Sequence, residues 1–273
     1  MRRVSVLWYA LAGAAGAGAI AWLHNRRVDD RQFPPFPLLR SPPTLPTPTP
    51  GVVVLAPEWG IIRTEHVLPL QRALEASPES IGIVIHTLGG TILAVDHIAH
   101  MLSSYKGRVT VYVPYMALSG GTMIAIAADE IVMEPSAILG PVDPQLNGWP
   151  AVGILELLSR KPPESIDDEW MLLATESQKA LAETRQSVRA LVSSEPAVER
   201  LTSGSTTHAR PITYAEASSL ALPVRLGVPR ELVASVDELV GRSPHGGCFP
   251  PISLSEEALS GIATTRIAFT RPE

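Results

Sequence analysis

The chain predicts an α/β domain on a buried, mostly parallel sheet, preceded by one N-terminal transmembrane helix and a proline-rich spacer. Three observations lead there. Between Gly51 and Leu239, short runs of almost wholly apolar residues alternate with helical patterns. A charge-free apolar stretch opens the chain, and prolines crowd between the two. Strands that are apolar on both sides are what a parallel sheet covered by helices on both faces requires.

From the start, Met1-Arg2-Arg3 precedes VSVLWYALAGAAGAGAIAWL (Val4–Leu23). About twenty apolar residues span a hydrocarbon core of ~30 Å, and Trp8, Tyr9 and Trp22 sit near the ends, where amphipathic rings favour the interface. Ala19-Ile20-Ala21 would also suit signal-peptide cleavage. The length of the run, with Arg26 and Arg27 directly after it, favours an uncleaved single-pass anchor over residues 1–27. Arg2 and Arg3 face Arg26, Arg27 and Arg31, which leaves open the side of the membrane taken by the rest of the chain. Gly13 with Ala17, or Ala14 with Gly18, would permit close helix contact in lipid, though small residues also simply satisfy hydropathy. Residues 28–50 include FPPFPLLRSPPTLPTPTP (Phe33–Pro50), too rich in proline for a helix or central strand. They read as a stiff polyproline spacer, with an SH3-type ligand as the alternative.

The domain proper is expected over residues 51–240. VVVL (Val52–Leu55) is a strand, and TEHVLPLQRAL (Thr64–Leu74) a helix despite Pro69. IGIVIH (Ile81–His86) is the next strand. TILAVDHIAHMLSSY (Thr91–Tyr105) is a helix with Ile92, Val95, Ile98, Ala99 and Leu102 on one face. VTVYV (Val109–Val113) runs into Pro114-Tyr115-Met116-Ala117-Leu118 and Ser119; MIAIAA (Met123–Ala128), apolar on every side, reads as a buried helix. EIVME (Glu130–Glu134) follows. Gly148–Lys161 is a loop and short helix ended by Lys161-Pro162-Pro163. A long helix is expected from about Asp167 to Ser194, striped by Leu173, Ala180, Leu181, Thr184, Val188 and Leu191. Tyr214–Leu222 is a short helix, and residues 241–273 an irregular tail.

Composition narrows the function. A net charge of −5 gives no reason to expect a nucleic-acid partner. Cys248 is the single cysteine, so no internal disulfide forms. No P-loop or GxGxxG occurs, so neither ATP nor a dinucleotide is implied, and no cofactor is expected. His97 and His100 share a helix face beside Asp96 but lack a clear third ligand, so no metal is expected.

The chemistry centres on Ser119-Gly120-Gly121-Thr122. A serine opening a buried helix lies beside N–H groups with no helical partner, and Thr87-Leu88-Gly89-Gly90 lets a second backbone approach closely. Together they would set a hydroxyl beside an anion-stabilising pocket, as acyl transfer needs. The plain alternative is an N-cap serine followed by a glycine turn.

The wider pattern favours the first reading. IHTLGGTILAVDHIAHML, VTVYVPYMALSGGTMIAIAADEIVMEPSAILGPVDPQL and LTSGSTTHARPITYAEASSLALPV resemble the serine dehydrogenase proteinase family. That family belongs with the Clp protease/crotonase superfamily and is akin to signal peptide peptidase A and the stomatin-associated membrane serine proteases. The resemblance runs from about Gly51 to Leu239. It implies a spiral of β-β-α units, a peptide or protein substrate, a homo-oligomer, Ser119 as nucleophile, and an oxyanion hole from Gly89 or Gly90 with Gly120. Leu88 stands where the family has proline, which makes that turn less rigid.

The base is the weak point of the resemblance. Clp proteases take a histidine from the stretch matching Ser136–Gln145, yet no histidine occurs between His100 and His208. Ser-His-Asp in that order is therefore absent. The membrane relatives use lysine, and only Lys161 and Lys179 lie between Ser119 and the C-terminus. Aligning KALAETRQSVRALV with their lysine-bearing helix selects Lys179 as catalytic base, with Lys161 as the alternative. Lys179 lies off the apolar stripe beside Gln178 and Glu183, as on a solvated face. Asp143 and His208 match family positions and are candidates to orient a base or bind substrate, a cap or turn contact being the alternative. The expected function is thus a membrane-anchored, ATP-independent serine endopeptidase of Ser-Lys type. Its rivals are a non-catalytic membrane scaffold of the same fold and a crotonase-like acyl-CoA enzyme.

Overall fold

Period-two alternation decides which face of the sheet each strand residue meets, and here both faces are covered. The computed structural model describes residues 51–57, 60–241 and 264–266; the expected anchor and spacer lie outside them. Val52–Leu55 (β1), Ile61–Ile62 (β2) and, after a 3₁₀ turn, Val67–Ala76 (α1) form a first unit. Ser80–Ile85 (β3), Gly89–Gly90 (β4) and Ile92–Ser104 (α2) form a second. Arg108–Val113 (β5), Met116–Ala117 (β6) and Gly120–Ile126 (α3) form a third. The repeated β-β-α plan implied by the resemblance is therefore the plan of the chain. Pro69 sits in the first turn of α1, where its missing N–H has no helical acceptor to lose.

Glu130–Met133 (β7) and Ile138–Leu139 (β8) start a fourth unit. It continues through the hairpin Gln145–Leu146 (β9) and Trp149–Pro150 (β10) into three helices, Ala151–Ser159 (α4), Asp168–Leu191 (α5) and Glu195–Thr202 (α6). Ile212–Thr213 (β11), Tyr214–Ser219 (α7), Val224–Leu226 (β12), Arg230–Gly241 (α8) and Thr264–Arg266 (β13) follow. The main sheet runs β12-β7-β5-β3-β1-β13, parallel throughout. β13 is a departure from the irregular tail expected after residue 241, and it covers the free edge of β1.

Val53, Leu55, Ile83, Ile85, Val111, Val113, Ile131 and Met133 point into the larger core. Their neighbours Val54, Val84 and Val132 point the other way and meet Leu232 and Val236 of α8. This two-sided burial is why the strands read as unbroken apolar runs. All seven residues of α3 are buried, as its uniform apolarity predicts. In α5 the inner face carries the predicted stripe, centred on buried Val188, and also buried Ser177, whose hydroxyl donates back to Leu173 O. Ile92 corrects the reading of α2: expected on the buried face, it is 57% exposed, because the first turn of α2 borders an open cleft.

Candidate active site

The short strands gather where β1, β3 and β5 end. Thr87 bridges to Ala117 in parallel: its N–H donates to Met116 O and its carbonyl accepts from Leu118 N–H. This docks the Gly89-Gly90 turn against the segment leading into Ser119. A Cβ added to Gly89 would stand 3.0 Å from Ser119 Cβ and 3.4 Å from its Oγ. On Gly120 and Gly121 it would meet Val95 and Thr87 methyls at 2.4 Å. Only glycine permits this approach of turn, helix and serine.

Ser119 itself adopts φ 51° and ψ −117°. For a residue with a Cβ this region costs about 1–3 kcal/mol and persists only where surrounding contacts impose it. Here Gly121 N–H donates to Leu118 O at 2.7 Å and Met123 N–H to Ser119 O at 3.1 Å. The sharp turn puts Ser119 on a small cleft with Gly90, Ile92, Val95, Asp96, Gly120, Met123, Val142, Asp143, Pro144 and Thr184.

The backbone donors can be told apart. Gly89 N–H already donates to Thr87 Oγ1 at 3.1 Å. Gly90 and Gly120 both line the cleft, and a Cβ on Gly120 would lie 3.2 Å from Gly90 N. Gly120 is the first residue of α3, so its N–H has no acceptor within the helix. Two buried threonines brace this arrangement. Thr87 Oγ1 lies 2.6 Å from Gly60 O and 2.8 Å from Gly89 O. Thr122 Oγ1 lies 2.6 Å from Ala117 O and 2.9 Å from both Gly140 O and Gly140 N.

Gly140 leads to Asp143, a carboxylate on the cleft wall that is only 4% exposed. Its partner arrives from far along the chain. β11 runs antiparallel to β8 with Ile212 opposite Leu139. Four residues onward from Leu139 is Asp143, and four back from Ile212 is His208, so the register sets the two side by side. His208 Nδ1 lies 2.6 Å from Asp143 Oδ1, while Gln145 Nε2 donates to Asp143 Oδ2 at 2.8 Å. With both carboxylate oxygens engaged, rotation of Asp143 is fixed. The Asp143 hydrogen bond raises the His208 pKa above its ordinary value, against an opposing desolvation. Because Nδ1 is used by Asp143, Nε2 is the nitrogen left for a second partner.

The lysines lie elsewhere. Lys179 is on the outer side of α5, its side chain 59% exposed, with Nζ 2.7 Å from Glu176 Oε1. The Glu176 hydrogen bond raises its pKa, opposite to what a neutral base near pH 7 needs. Lys161 is exposed just beyond α4, where its N–H donates to Leu158 O. Neither lysine lines the Ser119 cleft. Three participants escaped the sequence reading. Gln145 stands in the sequence only as part of the GPVDPQL segment and Thr184 only as part of the α5 stripe, while Asp96, read only beside two histidines, lines the cleft through its place one turn after Ile92. Among the described residues no group of three or more His, Cys, Asp or Glu is gathered to hold a metal.

Residues 54–244 match the ClpP-like SDH-type serine proteinases, and the chain belongs to that family. Two uncharacterized proteins of Methanocaldococcus jannaschii are similar to it. One is 37% identical over 200 residues, 69% of this chain and 68% of that protein. The other is 38% identical over 185 residues, 64% of this chain and 65% of that protein. Among solved structures, a mutant of the 1510-N membrane-bound stomatin-specific protease, in complex with a substrate peptide, aligns with a TM-score of 0.47. It is 18% identical, and the alignment covers 84% of this chain and 94% of that one.

Proposed function

We propose that this chain is a membrane-anchored endopeptidase in which Ser119 attacks the peptide carbonyl and His208, oriented by Asp143, takes the serine proton. The observation that carries this reading is the hydrogen bond of His208 to Asp143, a buried carboxylate on the wall of the cleft that holds Ser119; His208 stands behind that wall residue. The order Ser119, Asp143, His208 differs from the Clp order, but a triad is defined by geometry and role rather than by position in the chain. Asp143 fixes the tautomer with Nδ1–H and stabilises the imidazolium once Nε2 has accepted the serine proton. Gly90 and Gly120 N–H groups stabilise the tetrahedral oxyanion. Protonated His208 then delivers its proton to the leaving amine, and water repeats the sequence on the acyl-enzyme.

A Ser-Lys dyad asks more of the chain. Lys179 would have to leave Glu176, lose its charge and become buried beside Ser119, under a second subunit or a closing segment. The exposed, acid-paired position of Lys179 supports the histidine instead.

The test is mutational, with labelling by a fluorophosphonate probe and mapping of the modified peptide. Label is expected on Ser119 and is absent in Ser119→Ala. His208→Ala lowers kcat by roughly 10⁴ or more, while Lys179→Ala and Lys161→Ala stay within a few-fold of the parent. A silent His208→Ala alongside an inert Lys179→Ala would return the base to lysine. Failure of Ser119 to label would favour a scaffold or an acyl-CoA enzyme.

The anchor is part of the proposal. Among the described residues no helix is long and apolar enough to cross a membrane, and Val4–Leu23 lies outside them. Its charge-free length supports a single-pass anchor with residues 28–50 as spacer, placing the 51–240 domain near a membrane-borne protein substrate. Carbonate extraction leaves the full chain in the membrane on this reading; a soluble form starting near Trp22 would identify a cleaved signal. Exposed apolar residues, among them Leu93, Trp149 and Leu172, support self-association, which light scattering of the domain would detect.

A further inference from the structure

The cleft beside Ser119 is apolar along most of its wall, with Ile92, Val95, Met123 and Val142. One ionisable group breaks this pattern on the α2 side. Asp96 lines the cleft, yet makes no hydrogen bond or ion pair among the described residues. Asp96 is exposed at the mouth of the cleft; partial desolvation there raises its carboxyl pKa, and Glu183 of α5 adds to the shift, so a second negative charge lies close by. Thr184, the next residue of α5, lines the same cleft. Lys179, one turn before Glu183, is hydrogen-bonded to Glu176 and is felt by Glu183, while Asp96 has no such cation beside it.

We propose that Asp96 is a specificity-determining residue: it selects peptides whose residue on the acyl side of the scissile bond carries a positive charge on an unbranched stem. The assignment rests on the peptidase reading above. With the attacked carbonyl oxygen on Gly90 and Gly120, the substituent of the adjoining Cα enters the cleft those two glycines line. The cleft is small, about 50 Å³, which suits a slender chain better than an aromatic ring. The methylenes of a lysine lie along Ile92, Val95 and Met123, and its ammonium reaches Asp96, as such side chains do when an apolar wall ends in a polar rim. The ammonium supplies the countercharge that Asp96 lacks and can donate to Thr184. A glutamate in the same place meets a like charge, which discriminates by repulsion as well as by attraction.

The experiment uses the full chain in detergent and three internally quenched peptides. They are identical except for lysine, norleucine or glutamate on the acyl side of the cleaved bond. We expect kcat/KM to favour lysine over norleucine by roughly tenfold, with glutamate slowest. Asp96→Asn brings lysine and norleucine level, and Asp96→Lys makes glutamate the preferred substrate of the three. Fluorophosphonate labelling of Ser119 in each variant reports that the site is assembled. Because the ranking is read first in the parent protein, a variant that fails to fold does not shelter the proposal. Equal rates for lysine and norleucine in the parent overturn charge selection and leave the peptidase standing. No cleavage of any peptide, together with no labelling, removes the peptidase and this proposal with it.

Discussion

Asp143 and Ser119 are the two residues whose surroundings make the sharpest demands. A histidine must be neutral to take a proton, and Asp143 raises the His208 pKa. The acid limb of kcat/KM is therefore expected above pH ~6.5, the ordinary histidine value. Asp143→Asn removes that charge, so the midpoint moves to lower pH while kcat falls by roughly 10⁴. A pH–rate series reads both, and an unmoved midpoint would separate His208 from the chemistry. Ser119 is held at a positive φ. Ser119→Gly, freed of its Cβ, is expected to abolish cleavage and raise stability by about 1 kcal/mol, measured by denaturant unfolding. Loss of stability in that variant would mean the turn is not strained.

Whole elements follow from patterns a sequence displays; their meetings often do not. β1, β3 and β7 were legible because they are apolar on both faces, β5 because Val109, Val111 and Val113 recur at every second place, and α5 because its stripe keeps helical period. The two-residue strands were not, since nothing so short shows a period. Ser119 and the paired glycines were legible as a motif. The contact of Asp143 with His208 depends on the antiparallel pairing of β8 with β11, which joins residues 65 apart. Without that register, His208 reads as a cap or turn histidine, and a lysine is the base that the resemblance offers. The hairpin of β9 and β10 had a readable cue that went unused: Asn147 and Gly148 both adopt positive φ, as a tight turn of this kind requires. Thr122 joins two of these elements, tying α3 to the segment that carries Asp143. Thr122→Val keeps the shape but strips Gly140 N–H of its acceptor, costing about 1–3 kcal/mol. It is expected to lower kcat more than it changes KM, with Thr122→Ser restoring both. An unaltered kcat in Thr122→Val would show that the tie serves stability alone.

Across the molecule, histidines set opposite responses to pH. Burial lowers the pKa of His86, which packs edge-on to the Tyr115 ring at 5.7 Å. Tyr115 in turn donates to Asp237 of α8, and its own pKa is pushed up to about 12, chiefly by desolvation. A lowered folded-state pKa means the unfolded chain binds more protons in acid. The contribution of His86 is thus full above pH ~6.5 and is lost as pH falls through its folded value. His208 behaves oppositely, contributing below ~6.5 and losing that share as pH rises through its raised value. Unfolding midpoints measured between about pH 5 and 8 should therefore decline on the acid side, and His86→Phe should flatten the decline. A parent protein equally stable throughout would count against a buried neutral His86.

The position of His208 also fixes when the centre can first be assembled. A ribosome making this chain delivers Ser119, the glycines and Asp143 before the hairpin of β9 and β10 and the three helices that follow. Only afterwards does it deliver His208. Until β11 has emerged and zipped onto β8, the nascent chain, by the proposed mechanism, holds a shaped serine with no base beside it. On the proposed mechanism the enzyme is inert throughout its own synthesis, and a product broken off before residue 208 stays so.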